Sequence, residues 1–96
     1  MRIREMNGLI KSSVVLAQKM ILTSDYVTRE EIKYTVRKYL EDNGIVLNTN
    51  VRKDRRLLHF IVKGAEYIAF DNVSYDNAFY YIQASMKKRG VNLYLA

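Results

Sequence analysis

The spacing of apolar residues at the start of the chain predicts a helix over residues 3–22. Gly8 lowers the helix propensity by about 1 kcal/mol relative to Ala, so the true start could lie after it. The wide apolar face predicts a helix that covers the core of a small domain, with a partner surface as the alternative. The positions that recur every three or four residues, on one helical face, are Ile3, Met6, Ile10, Val14, Ala17 and Ile21.

The second predicted helix begins at Thr28, where the chain has its clearest start signal. Thr28 and Glu31 have the spacing of a capping box, in which the Thr hydroxyl accepts from the Glu31 amide. Gly44 predicts a left-handed stop, and Leu40 and Ile45 would make the apolar contact that accompanies it. The predicted buried stripe is Ile32, Val36, Tyr39 and Leu40.

Between Gly44 and Phe70 the pattern changes and predicts strands. Residues 45–51 alternate between apolar and polar, which is typical of a half-buried strand. Residues 57–62 are apolar except for His59, which favours a central strand, and residues 65–70 alternate again. A hairpin tip at residues 53–55 would join the first two strands. Lys63 and Gly64 would form a tight turn or a bulge.

A third helix is predicted after the turn at residues 71–74, with Ser74 as its N-cap and Gly90 as its stop. Residues 91–95 then read as a final short strand. The predicted fold class is α+β, in the order α-α-β-β-(β)-α-β: a small antiparallel sheet of three or four strands packed against two or three helices, in a single domain over residues 1–96. The buried stripe of this last helix would be Ala78, Phe79, Ile82 and Met86.

Composition narrows the function classes without naming one. The chain has 96 residues, no cysteine and a net charge of +6. The missing cysteines suit a cytoplasmic protein, and no uncharged run approaches the ~20 residues of a membrane span. A basic balance favours polyanions or acidic protein surfaces as partners, although a soluble domain can be basic without such a role. The abundance of Tyr, Asn, Ile and Lys suggests an A+T-rich genome, such as that of a phage or mobile element.

Two basic clusters are candidates for phosphate contacts. On a protruding hairpin tip, the first cluster could straddle a phosphate backbone as the wing of a winged-helix domain does, or it could be a solvated turn. Four phosphate contacts would give a salt slope of about −4. The second cluster lies at a helix C-terminus, where the helix dipole alone favours cations. The clusters are Arg52, Lys53, Arg55 and Arg56, and Lys87, Lys88 and Arg89.

Tyrosines supply a second kind of candidate surface. Tyr34 falls off the buried stripe of its helix, and Tyr80 and Tyr81 cannot both face the core. Exposed tyrosines can stack on bases or anchor a protein interface, but partial burial at the core rim is the alternative. The predicted interface residues are Tyr34, Arg37, Lys38, Tyr80 and Tyr81.

The chain carries no motif that dictates a chemistry. It lacks a Gly-rich phosphate loop, a nucleophile elbow and a zinc-protease motif. His59, the one histidine, reads as a core or sheet-face residue rather than a metal ligand or base. We therefore expect no enzyme activity, no cofactor and no metal site.

The sequence favours a small, non-enzymatic nucleic-acid-binding or regulatory protein that uses its basic hairpin tip. The alternative is a protein-binding inhibitor or adaptor of phage or mobile-element type, acting on an acidic or nucleic-acid-binding host protein. A winged-helix arrangement is less favoured, because Glu30 and Glu31 would face the DNA phosphates. The apolar excess of the first helix and the edge at residues 91–95 would permit a homodimer.

Overall fold

The structure is a computed structural model that describes residues 2–96, so the first residue of the predicted domain lies outside it. This part of the chain forms four helices: α1 (Ile3–Thr23), α2 (Arg29–Asp42), α3 (Arg52–Asp71) and α4 (Tyr75–Lys87). Within residues 2–96, no helix combines the length and the apolarity that a membrane crossing needs.

The α+β prediction is wrong, because residues 2–96 contain no strand. Helix α3 spans the predicted hairpin tip at residues 53–55 and the predicted strands at 57–62 and 65–70. Residues 45–51 form a loop, and residues 91–95 are extended without a sheet partner. The wing that the winged-helix alternative required is therefore not present in the described residues.

Helix α3 forms because its apolar residues repeat with the period of a helix over twenty residues. The short apolar run at 57–62 hides this period, since it covers fewer than two helical turns. Gly64 neither turns nor bulges the chain. It is buried within α3, where a Cβ atom would stand 2.9 Å from Ile82 Cδ1 and 3.7 Å from the Ala78 carbonyl oxygen of α4. The glycine thus allows α3 and α4 to pack closely.

Helix α3 lies at the centre of the domain and packs against α1, α2 and α4. Its buried side chains belong to one core, and most residues of the predicted stripes of the other helices face that same core. Ile3 is an exception, because it is 63% exposed at the start of α1. The fully buried large side chains of this core include Ile10, Val14, Val36, Leu40, Ile61, Val62, Ile82, Met86 and Leu95.

The predicted helix ends at α2 and α4 are confirmed. The Thr28 hydroxyl accepts from the Glu31 amide at 3.1 Å, and the Ser74 hydroxyl accepts from the Asn77 amide at 3.2 Å. Gly44 has φ 91°. The Ile45 amide donates to the Leu40 carbonyl at 2.8 Å and the Gly44 amide to the Glu41 carbonyl at 3.0 Å, which is a Schellman motif.

The same motif ends α4. Gly90 has φ 80°, and the Val91 amide donates to the Met86 carbonyl at 3.0 Å. The extended segment after it keeps the alternation that suggested a strand, with Leu93 and Leu95 buried and Tyr94 exposed. The Leu95 amide donates to Gln83 Oε1 of α4 at 2.8 Å instead of pairing with a strand. Alternating burial here belongs to a segment that packs on helices and not to a strand of a sheet.

Candidate functional site

The loop between α2 and α3 orients the first turn of α3. The Asp54 carboxylate accepts from the Asn48 amide at 2.8 Å, so this acid is turned toward the loop. Arg55 donates to the Thr49 carbonyl oxygen at 2.9 Å and ties the same loop to the helix. The N-cap residue, Val51, has no side-chain acceptor for the first amides of α3. The positive end of the helix dipole therefore adds to the cations that follow it.

Four cations and one histidine surround a single depression, which we call the cationic pocket. Its volume is about 220 Å³, and it lies where α2 meets the first turns of α3. None of the residues that line it carries a negative charge, so an anion bound here would meet only positive or titratable groups. The lining residues are Lys33, Arg52, Arg55, Arg56 and His59.

The segment that follows α4 extends this basic surface. Arg89 lines a cavity of about 340 Å³ together with Arg52, Lys53 and Arg56. Two contacts hold Arg89 in place: it donates to the Ser85 carbonyl oxygen at 2.7 Å, and its guanidinium carbon lies 4.8 Å from the centre of the Phe60 ring. A guanidinium over an aromatic face is a cation–π contact. Arg89 is thus presented beside the first turn of α3.

The two predicted basic clusters therefore meet only in part. Lys87 and Lys88 are exposed but line neither this cavity nor the cationic pocket. We call the combined surface the basic face. It consists of Lys33 and Arg37 from α2, the α3 residues Arg52, Lys53, Arg55, Arg56 and His59, and Arg89.

A second depression adjoins the cationic pocket, and we call it the tyrosine cleft. Its volume is about 340 Å³, and it shares Lys33 and Arg55 with the cationic pocket. Tyr34 lines it with 65% of its surface exposed. The one acid of the cleft, Glu30, lies 3.7 Å from the Lys33 ammonium. The residues that line the cleft are Glu30, Lys33, Tyr34, Arg37, Thr49, Arg55 and Leu58.

Of the predicted interface residues, Tyr34 and Arg37 line this cleft, whereas the predicted α4 tyrosines, Tyr80 and Tyr81, do not. Tyr80 is 62% exposed on α4. Tyr81 is half-buried and packs edge-on against Phe60 and Tyr67, with ring centres 5.8 and 5.1 Å apart. Burial, followed by the neighbouring Tyr67, raises the pKa of Tyr81.

Lys38 also lies apart from the tyrosine cleft. It is exposed and pairs with Asp42 one helical turn later, at 3.4 Å. This side-chain hydrogen bond, together with the negative charge of Asp42, raises the pKa of Lys38. The pair is a local contact on the surface of α2.

His59 was predicted to lie on a strand, but it lies in α3. It is half-buried on α3, packs edge-on against Phe60 at 5.2 Å and lines the cationic pocket. Burial lowers the pKa of His59, and the positive charges of Lys33, Arg29, Arg56 and Lys63 lower it further. The histidine thus lies in a partly desolvated position beside several cations.

Sequence reasoning missed Lys33 and His59 as members of the site. A helical interpretation of α3 would have revealed part of it, because Arg52, Arg56, His59 and Lys63 recur at spacings of four and three on one face. Lys33 has no such signal, since it joins the site only through the packing of α2 against α3.

Within residues 2–96, no three His, Asp or Glu side chains come together as a metal site. The absence of enzyme activity and of a cofactor stays a prediction. Comparisons with protein-family models, with curated proteins and with solved structures found no match for this chain.

Proposed function

We propose that the protein is a non-enzymatic nucleic-acid-binding protein whose basic face contacts phosphates. The observation that supports this function is the meeting of cations from three separate segments around adjoining cavities. Lys33 comes from α2, Arg52 and Arg56 from the start of α3, and Arg89 from the segment after α4. Arginine in such a cluster can donate two parallel hydrogen bonds to one phosphate.

The number of cations on the basic face gives an expected salt dependence of the binding affinity. If Lys33, Arg52, Arg55, Arg56 and Arg89 each contact one phosphate of duplex DNA, the slope of log K against log salt is about −4.5. A fourfold rise in salt, from about 50 to about 200 mM, would then weaken binding by about 500-fold. A slope close to zero would contradict a phosphate-binding role for the basic face.

The test is fluorescence anisotropy of labelled DNA and RNA across that salt series, with a double charge reversal, Arg52→Glu/Arg56→Glu. Both residues line the cationic pocket and the cavity beside Arg89. An acidic residue in the first turn of a helix is favourable, which applies to Arg52; Arg56 lies one turn further along, so the double variant must be shown to remain folded. Circular dichroism and the unfolding midpoint verify this before binding is measured.

The matched control is Arg2→Glu/Lys19→Glu. It lowers the net charge of +6 by the same four charges, but both residues are exposed on or beside α1 and line none of the basic cavities. We expect the α3 double variant to lose at least tenfold more affinity than the control and to have a shallower slope. Equal losses in the two variants would mean that net charge alone accounts for binding and would contradict the proposal.

A second candidate function is a protein-binding inhibitor or adaptor, and one groove with a mixed apolar and charged lining favours it. Phe70 is 69% exposed at the C-terminal end of α3, and it lines a groove of about 210 Å³ with Ile21 and Val27. Phe70 and Arg55 are fifteen residues apart, or roughly 22 Å along the helix at about 1.5 Å per residue. A partner that needs Phe70 but not Arg56, found by comparing Phe70→Ser with Arg56→Glu, would support this candidate.

We also propose a cytoplasmic location, supported by the absence of cysteine from the chain. Fractionation of cells that produce the protein, followed by immunodetection, tests it. Recovery in an oxidising compartment would contradict it.

A further inference from the structure

The tyrosine cleft has the dimensions and the lining of a site for a planar aromatic group. At about 340 Å³ it falls in the range of small-molecule sites, roughly 300–1,000 Å³. Tyr34 offers an exposed ring on one side, and the buried Leu58 contributes an apolar floor. An exposed aromatic ring beside cations is the arrangement on which nucleobases stack in single-strand-binding proteins.

The cationic pocket supplies a site for the phosphate of a ligand whose base lies in the tyrosine cleft. The two depressions share Lys33 and Arg55, so they adjoin, and a nucleotide that spans them would meet both linings. Phosphate belongs in the cationic pocket, where no acid lines the wall. Glu30 makes the tyrosine cleft less positive than the cationic pocket, and its carboxylate can accept a hydrogen bond from the amino or imino group of a base. The electrostatics therefore favour the orientation that has the phosphate in the cationic pocket.

We propose that the basic face binds single-stranded nucleic acid in preference to duplex, with one base stacked on Tyr34 in the tyrosine cleft and its phosphate in the cationic pocket. This inference rests on the proposed nucleic-acid-binding function and specifies its substrate class. In a duplex the bases are stacked and paired, so their faces are not available to Tyr34. A duplex would then engage only the cations of the basic face.

The experiment compares four labelled probes of the same length by fluorescence anisotropy at low salt. The probes are a DNA single strand, an RNA single strand, a DNA strand made of abasic sites and the DNA duplex. We expect both natural single strands to bind more tightly than the duplex and the abasic strand. The two natural strands together show whether the sugar matters, because the base and the phosphate are common to both.

The deciding variant is Tyr34→Ala, with Tyr34→Phe and Tyr80→Ala as controls. Loss of one stacked base should weaken single-strand binding by about 5- to 150-fold and leave the abasic strand and the duplex unchanged. Tyr34→Phe keeps the ring and should bind as the natural protein does. Tyr80 is exposed to a similar extent on α4, outside the cleft, so its removal should have no effect.

The outcomes separate this inference from the function on which it rests. Salt-dependent binding that is equal for all four probes, or that is unaffected by Tyr34→Ala, would overturn base stacking while the phosphate-binding function stands. No binding of any probe at low salt would overturn both. A selective loss with Tyr34→Ala that Tyr34→Phe restores would support both.

Discussion

Replacing Gly64 with Ala should destabilise the protein, although Ala is the better helix former. The substitution relieves a helix penalty of roughly 0.5–1 kcal/mol for glycine. The new methyl carbon would stand 2.9 Å from Ile82 Cδ1 and 3.2 Å from Ile82 Cγ1, closer than carbon atoms pack. Ile82 is fully buried, so any movement of its side chain disturbs the packed core around it, and overpacking of about 1–3 kcal/mol applies. The expected net loss is about 1 kcal/mol, or a melting temperature lower by about 4–8 °C.

The atom responsible can be tested with a double-mutant cycle. Ile82→Val removes Cδ1, the nearest carbon, and alone should cost about 0.5–1.5 kcal/mol. In Gly64→Ala/Ile82→Val the added methyl fills the space that Cδ1 leaves. We therefore expect the double variant to be at least about 1 kcal/mol more stable than the sum of the two changes predicts.

The assay is urea unfolding followed by far-ultraviolet circular dichroism, at constant pH and salt. Gly8→Ala is the matched control, because nothing lies within 4 Å of a Cβ atom at Gly8 of α1. It should stabilise the protein by about 0.5–1 kcal/mol. The reasoning is refuted if Gly64→Ala stabilises as Gly8→Ala does, or if the effects of Gly64→Ala and Ile82→Val simply add.

Three further predictions concern caps and charge. Ser74→Ala removes the hydroxyl that accepts from the Asn77 amide and should lower the free energy of unfolding by about 1 kcal/mol. The control, Ser12→Ala on the exposed face of α1, should change the free energy of unfolding by less than about 0.5 kcal/mol. Equal effects of the two substitutions would contradict the capping role. Gly44→Ala places a side chain at φ 91° and should cost about 1–2 kcal/mol in the same urea assay, so a neutral result would refute the strain argument. The pKa of His59 is lowered in the folded protein by burial and by Lys33, Arg29, Arg56 and Lys63, so the folded state takes up its proton later than the unfolded state as the pH falls below about 6.5. Stability should therefore decline through that window and decline less in His59→Gln, while binding of an oligonucleotide phosphate should tighten; unchanged pH profiles in the variant would contradict both.

The ends of α2 and α4 were predictable because each end has its own local signal. Thr28 and Ser74 start helices with side-chain caps, and Gly44 and Gly90 end them in left-handed conformations. These are contacts between residues at most five apart, so the sequence alone contains them. Each cap therefore predicts the residue at which a helix begins or ends.

Helix α3 was not predictable in the same way, because it has no side-chain N-cap, ends on Asn72 in place of a glycine and contains a misleading signal. Its N-cap is Val51, which has no capping oxygen, and the apolar run at 57–62 is typical of a buried strand. Gly64 resembled a turn residue, but its role is the close approach of α4, a contact over eighteen residues. The missing glycine in the supposed hairpin tip at 53–55 was the local sign that no hairpin forms there.

Of the candidate site, only the concentration of positive charge at the start of α3 was predictable from the sequence. The four cations at the start of α3 stand out in any secondary structure. Which other residues join them depends on packing: Lys33 arrives through α2, and Arg89 arrives through its contact with Phe60. Lys87 and Lys88 belong to the same sequence cluster as Arg89 but line neither basic cavity, because successive residues of a helix project in directions about 100° apart.

The central position of α3 also determines when the protein can fold during its synthesis. The largest contact surface of α1 is with α3, which begins at Arg52. Until α3 has left the ribosome, the apolar faces of α1 and α2 have little beyond each other to cover them. Synthesis of the twenty residues of α3 takes about 1–4 s at ~5–20 residues per second, whereas helical domains assemble in microseconds to milliseconds. The nascent chain therefore waits for α3, and throughout that interval it is a substrate for chaperones and proteases.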